Sequence, residues 1–193
     1  MTPLLAAALG IQEFCDQREW KSCIIGGIAV LRWGEARFTR DVDLTLLTGY
    51  GHELEFIESI LNAGYRGRLS DAADFALENR VLLLESPQDV PIDISLAAFP
   101  FESIAIARAT PFEFEPGCKL RTCSAEDLIV QKLFAFRPRD IFDVQTIADK
   151  QAGSLDWNYI ETQLAPLAEL KEQAEIMASF VDLSSGPTIQ SQW

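Results

Sequence analysis

The chain holds one histidine, His52, and four cysteines, Cys15, Cys23, Cys118 and Cys123, with no CxxC spacing among them. A zinc site built on cysteine and histidine has no constellation to use. A Ser-His-Asp or Cys-His nucleophile would depend on His52, which lies in a glycine-rich turn with no nucleophile motif beside it. The four thiols are therefore read as structural. No apolar run approaches the roughly 20 residues that span a bilayer. The apolar start Met1–Leu9 has no basic lead and soon turns polar, which makes a poor signal peptide. The expectation is a cytoplasmic protein with no membrane association. Basic residues are also scarce, 16 Lys and Arg against 29 Asp and Glu, for a net charge of −13. That balance argues against broad, nonspecific nucleic-acid binding, which depends on neutralising phosphates. It suits a basic protein partner, such as a DNA-binding companion. Neither a GxGxxG nor a Walker loop occurs, so the Rossmann and P-loop readings fail.

What is present is a chain of 193 residues, 48% hydrophobic and 23% charged, enough for one domain or a domain with a helical extension. Its organising stretch is Cys23-Ile24-Ile25-Gly26-Gly27-Ile28-Ala29-Val30, which leads through Arg37-Phe38-Thr39-Arg40 into Asp41-Val42-Asp43-Leu44-Thr45-Leu46-Leu47. An apolar run stops at two glycines, a helical turn follows, and a strand opens on two aspartates. Residues i and i+2 of a strand share a face, so Asp41 and Asp43 point together while Val42 and Leu44 turn into the core. Paired carboxylates stay ionised together when a cation sits between them, and they are the ligand type Mg²⁺ prefers.

In chain order, residues 3–20 read as an opening helix, 22–26 as a buried strand and 28–34 as a short helix. The aspartate strand is 41–47, and a helix fits 52–63. The pattern over 65–80 is weak. Val81–Leu84 reads as an apolar strand and Val90–Leu96 as an alternating one, with Asp93 and Ser95 on one face and Pro91 at a first or edge position. Residues 97–123 hold further short strand candidates, among them 112–114 and 119–121. From Ser124 the pattern is helical: one helix ending before Pro138, a second over 139–149, and a third over 156–180 with a break at Pro166. The division expected is a core over 1–123, a helical part over 124–183 and a flexible tail over 184–193.

Three sets of residues carry chemistry. Asp41, Asp43 and Asp93 form a carboxylate set able to hold two divalent ions for an in-line displacement; the plainer reading is a strand-start residue and a solvent-facing one. Gly26 and Gly27, between strand and helix, let backbone N–H groups approach a phosphate, or simply make a tight turn. Lys132 lies in an otherwise apolar helix, where its amine needs a partner or reaches solvent. Asp140 and Asp143, one turn apart, stand ready to steady it or an arginine, and Arg37 and Arg40 flank the aspartates within reach of phosphates.

Taken together, Gly-Gly, then Asp-x-Asp, then a later strand with an aspartate between apolar residues resembles the nucleotidyltransferase superfamily of DNA polymerase β-like fold. The wording Gly26-Gly27-Ile28-Ala29 and Arg37-Phe38-Thr39-Arg40-Asp41-Val42-Asp43-Leu44 is similar to the AbiEii-type toxin nucleotidyltransferases. So is the helical run Glu126-Asp127-Leu128, Lys132-Leu133 and Arg137-Pro138-Arg139-Asp140-Ile141-Phe142-Asp143. The resemblance implies an α+β fold, a mixed sheet flanked by helices, with a C-terminal helical part. It implies that Asp41, Asp43 and Asp93 are catalytic and bind two Mg²⁺ ions, Asp93 also being the general base. It implies nucleotide contacts at Gly26, Gly27, Arg37, Thr39, Arg40, Lys132 and Arg139, with Asp143 as a support on the helical side. The activity implied is transfer of NMP from an NTP to an acceptor hydroxyl, on an RNA 3′ end, a protein or a small molecule. The acidic chain disfavours RNA unless Arg32, Arg37, Arg40, Arg137 and Arg139 line one groove. The biological setting implied is the toxin of a toxin–antitoxin or phage-defence pair, with a basic DNA-binding antitoxin as partner. The alternative is a nucleotide-binding or partner-binding module that keeps the fold with little catalysis.

Overall fold

A computed structural model describes residues 1–185. Backbone contacts divide the chain into two compact units, Met1–Arg32 with Arg37–Ser124, and Trp33–Ala36 with the residues from Ala125 onward.

The first unit opens with helix α1 (Pro3–Asp16), which begins where Thr2 accepts a hydrogen bond from the Leu5 N–H at 3.3 Å and Pro3 takes the first helical position. Strand β1 (Ser22–Ile24), helix α2 (Gly26–Trp33) and strand β2 (Val42–Leu47) follow, then α3 (Glu53–Asn62), β3 (Arg66–Gly67), α4 (Ala72–Asn79), β4 (Val81–Glu85) and β5 (Pro91–Ala97). Helix α5 (Pro100–Arg108) and the hairpin of β6 (Thr110–Glu115) and β7 (Cys118–Thr122) complete it. Among the described residues the strands make one seven-stranded sheet in the order β3-β4-β5-β2-β1-β7-β6. β2 runs parallel to β5 and antiparallel to β1, so the sheet is mixed.

Alternation sets the two faces of this sheet. Val42, Leu44, Leu46, Leu82, Leu84, Ile92, Ile94 and Leu96 are all buried and pack with Ile11 of α1 and with Ile57 and Ile60 of α3. The residues between them, Asp41, Asp43, Leu83, Asp93 and Ser95, are half-buried on the other face. A one-residue slip would exchange the sets, so core burial itself holds the aspartates outward. At the far end of β2, Arg80 takes a left-handed conformation (φ 56°) and ties the unit together. Its guanidinium donates to the carbonyls of Leu96 at 2.5 Å and Gly49 at 3.0 Å and pairs with buried Glu53.

The second unit is helical: α6 (Ala125–Ala135), α7 (Pro138–Lys150), α8 (Trp157–Lys171) and α9 (Ala174–Ser184). Lys150 and Gln151 donate to the carbonyls of Gly34 and Trp33 at 2.8 and 3.0 Å, which fastens the segment 33–36 to it.

Several expectations need correction. α1 stops at Asp16 and does not reach 20, because the chain turns on Glu19 (φ 58°) before β1. The helix expected from 28 opens earlier, with Gly26, through which the chain turns, and Gly27 as its first two residues. The weak stretch 65–80 holds β3 and α4, and residues 100–108 are a helix where strands were expected. That helix starts on Pro100, and Glu102 accepts from the N–H groups of Ala98 and Phe99 at 2.8 and 2.9 Å, a cap that apolar composition masked. The break expected at Pro166 falls at Glu172, a left-handed residue (φ 54°), since proline inside a helix costs one hydrogen bond where a left-handed residue ends it. Ser184, placed in a frayed tail, is the last residue of α9, and the rest of that expected tail from 186 lies outside the described residues. No described helix is long and apolar enough to cross a membrane.

Candidate active site

β2 and β5 pair in parallel with Asp43 opposite Asp93, so these carboxylates stand in one row, roughly 4.8 Å apart at the backbone. Asp41, two residues before Asp43, lies on the same face. The structure thus brings together three carboxylates drawn from two strands separated by about fifty residues of chain.

The glycines complete the arrangement. β1 ends beside β2, where the Ile25 N–H donates to the Asp43 carbonyl at 2.9 Å. The chain then turns through Gly26 (φ 59°), a conformation that disfavours a side chain. A Cβ at Gly26 would stand 2.7 Å from the Asp43 Cβ and run into its carboxylate. The Gly27 N–H donates to Asp43 Oδ2 at 3.3 Å, so the first turn of α2 is aimed at this carboxylate. Unbonded amides at a helix start attract negative charge, carboxylate or phosphate alike. A Cβ at Gly27 would lie 2.8 Å from the Thr39 Cβ, and the Thr39 hydroxyl donates to Asp41 Oδ1 at 3.0 Å. Of the other basic candidates, Arg37 donates to the Phe38 carbonyl at 3.4 Å, and Arg40 lies 5.2 Å from the centre of the exposed Phe38 ring. Arg32 donates to Thr110 and to the Thr122 hydroxyl at 2.8–2.9 Å, which anchors α2 to the β6–β7 hairpin.

The residue that sequence reasoning missed is Arg68. Just past β3, its N–H donates to the Leu83 carbonyl at 3.0 Å, and Leu83 is in register with Asp93. Its guanidinium crosses that strand and pairs with Asp93 Oδ1. The stretch that carries it shows no periodicity, so only the sheet order reveals the contact. Burial pushes the Asp93 carboxyl above the usual carboxylate range and the Asp41 charge adds to that, while Arg68 opposes both.

In the helical unit, Lys132 is buried and pairs with Asp143 Oδ2 at 2.6 Å and with Asp140 Oδ1 at 3.1 Å. Asp140 also accepts from the side chain of Arg137 at 2.7 Å, and Arg139 lies exposed in the first turn of α7. Lys132 therefore joins α6 to α7, the pairing that its place in an apolar helix calls for.

Oxygen donors alone, from adjacent strands, suit a hard divalent cation better than a softer metal. Among the described residues no three carboxylate, imidazole or thiolate groups converge on one point. Among their contacts, Asp43 accepts from the Gly27 N–H, Asp41 from the Thr39 hydroxyl, and Asp93 pairs with Arg68.

The fold that carries these residues, a mixed sheet flanked by helices, is shared with solved nucleotidyltransferases. The antibiotic-resistance factor ANT(2″)-Ia superposes with a TM-score of 0.55 at 19% identity, over 90% of this chain and 96% of that one. The lincosamide antibiotic adenylyltransferase LnuA gives 0.50 at 14% identity, over 76% and 96%. An antigenic nucleotidyltransferase-like protein from Paracoccidioides brasiliensis gives 0.50 at 16%, over 92% of each chain. At these identities the likeness is one of fold. No curated protein matches the chain by sequence. The family is shown independently: the model described as "Nucleotidyl transferase AbiEii toxin, Type IV TA system" matches residues 24–179, and the chain belongs to this family of nucleotidyltransferases.

Proposed function

We propose that this nucleotidyltransferase moves NMP from an NTP to an acceptor hydroxyl with Mg²⁺, and that it serves as the toxin of a toxin–antitoxin pair. The observation that carries the catalytic reading is the register of Asp43 with Asp93, with Asp41 on the same face and a glycine-started helix at their side. Asp41, Asp43 and Asp93 would hold the divalent ions, whose chemistry is to offset charge on the transferring phosphoryl group and on its attacking and leaving oxygens. The N–H groups that open α2 offer donors to the triphosphate, and the missing Cβ atoms at Gly26 and Gly27 leave room for Asp43 and Thr39 beside that helix start. Thr39 holds Asp41 in orientation. Asp93, whose proton affinity burial raises, takes the proton of the acceptor hydroxyl. The acceptor oxygen then bonds to the α-phosphorus, the bond from that phosphorus to the bridging oxygen breaks, and pyrophosphate leaves.

The family description supports the toxin role, and a net charge of −13 favours a basic partner, as a DNA-binding antitoxin would be. All four cysteines are buried thiols outside any disulfide, which suits a reducing compartment such as the cytoplasm. The test is transfer from each of the four α-³²P-labelled NTPs, with Mg²⁺ and total cell extract, beside Asp41→Ala/Asp43→Ala. Label on RNA, protein or a small molecule with the wild type alone identifies donor and acceptor class. NTP and Mg²⁺ binding without any transfer would instead establish a nucleotide-binding module.

A further inference from the structure

We propose that Arg68 is a positioning residue that holds the place of a cation: its guanidinium keeps Asp93 oriented until a divalent ion displaces it, and so sets the affinity for that ion. The inference rests on the catalytic reading above and goes beyond it to a residue outside the carboxylate set.

Three observations carry it. First, the Asp93 carboxylate faces a full positive charge, the guanidinium of Arg68. Three carboxylates on one sheet face repel one another, and a guanidinium on one of them lowers that repulsion. Second, the reach of Arg68 is built into the backbone. Gly67 sits so close to Ala72 that a Cβ there would collide with the alanine side chain, so the chain leaves β3 in a tight turn into α4. Arg68 comes at that turn, bonded to Leu83 and one strand away from Asp93 in the same row. Arg66, two residues earlier, is occupied by Glu85 and Asp89, which leaves Arg68 to serve Asp93. Third, the pair can open. The side chains of Arg68 and Asp93 are 31% and 32% exposed, so an incoming ion can exchange with the guanidinium without disturbing the core.

A divalent ion at Asp93 and a guanidinium on Asp93 Oδ1 compete for the same carboxylate. Removing the guanidinium therefore tightens metal binding, whereas a residue that merely held the loop in place would leave it unchanged or weaken it. The probe is Mn²⁺ alone, titrated into the full chain with free ion counted by electron paramagnetic resonance. Arg68→Gln keeps a polar stem over Leu83 and loses the charge; its Mn²⁺ affinity is expected to rise about three- to tenfold, the scale of a half-exposed ion pair. Arg68→Lys keeps the charge and is expected to stay within about twofold of the wild type. Far-UV circular dichroism and the urea midpoint report whether each variant is folded, and Arg68→Ala supplies a second neutral variant. An unchanged or weaker Mn²⁺ affinity in the folded neutral variants overturns the placeholder. Asp41→Ala/Asp43→Ala in the same titration separates the two levels. Wild-type binding that does not depend on these aspartates overturns the catalytic reading and the placeholder with it. Binding that depends on them but ignores Arg68 overturns the placeholder alone.

Discussion

Gly27 and Thr39 share one volume. The Thr39 side chain fills the space where residue 27 would carry a Cβ, and its hydroxyl orients Asp41. Gly27→Ala is therefore expected to cost about 1–3 kcal/mol of stability, the scale of an overpacked site. In a Thr39→Gly background the same change should cost far less, since the colliding atoms are gone. Urea unfolding of the four proteins gives the coupling directly, and equal costs in both backgrounds would show that the two residues do not meet. At this scale the site was legible wherever the signal was local. Asp41 and Asp43 share a face by strand alternation alone, and two glycines between apolar runs announce a close approach. Arg68 was not legible, because its partner lies three elements later and only the order β3-β4-β5 brings them together. Lys132 lay between these cases. Its isolation in an apolar helix signalled a buried partner, and Asp140 with Asp143 were the carboxylates in range.

That lysine acts at the scale of elements. α6 and α7 meet at a left-handed Phe136 (φ 56°), and Lys132 on one helix faces Asp140 and Asp143 on the other. Further polar contacts hold α8 to α6: the Tyr159 hydroxyl donates to buried Asp127 at 2.5 Å, and Lys171 donates to the Phe134 carbonyl at 2.6 Å. Breaking a buried ion pair by removing one partner costs roughly 3–5 kcal/mol, because the remaining charge stays buried. Lys132→Met is expected to lose about 3 kcal/mol in urea unfolding, toward the low end since Arg137 still serves Asp140. A loss under about 0.5 kcal/mol would mean that water already shares this site, as at an exposed pair. Elements with strong period or chemistry were readable in the chain: the aspartate strand, the alternating strand β5 and the first helix after Ser124. α5 was not, because its buried residues Phe101, Ala105 and Ile106 stand next to exposed Ile104 and Ala107 and give no clean stripe. The helix break at Glu172 had no residue to announce it, since glutamate seldom takes a left-handed conformation.

For the molecule as a whole, charge sets how strongly the chain meets a polyanion such as RNA. The chain carries −13, and of its arginines Arg32 and Arg80 are spent on anchoring the fold while Arg66 and Arg68 are spent on carboxylates. Each phosphate neutralised by a protein cation contributes about −0.7 to the slope of log K against log salt for a single strand. A protein that grips an RNA backbone with six or more cations therefore shows a slope steeper than about −4. For this chain the expected slope with a fluorescent single-stranded RNA is shallower than about −2, with weak affinity even at low salt. Fluorescence anisotropy from low to physiological salt measures both. A shallow slope directs the search for the acceptor hydroxyl toward a protein or a small molecule. A steep one would mean that local basic residues such as Arg37 and Arg40, neither of them fully buried, outweigh the net charge, and RNA would become the first acceptor to test.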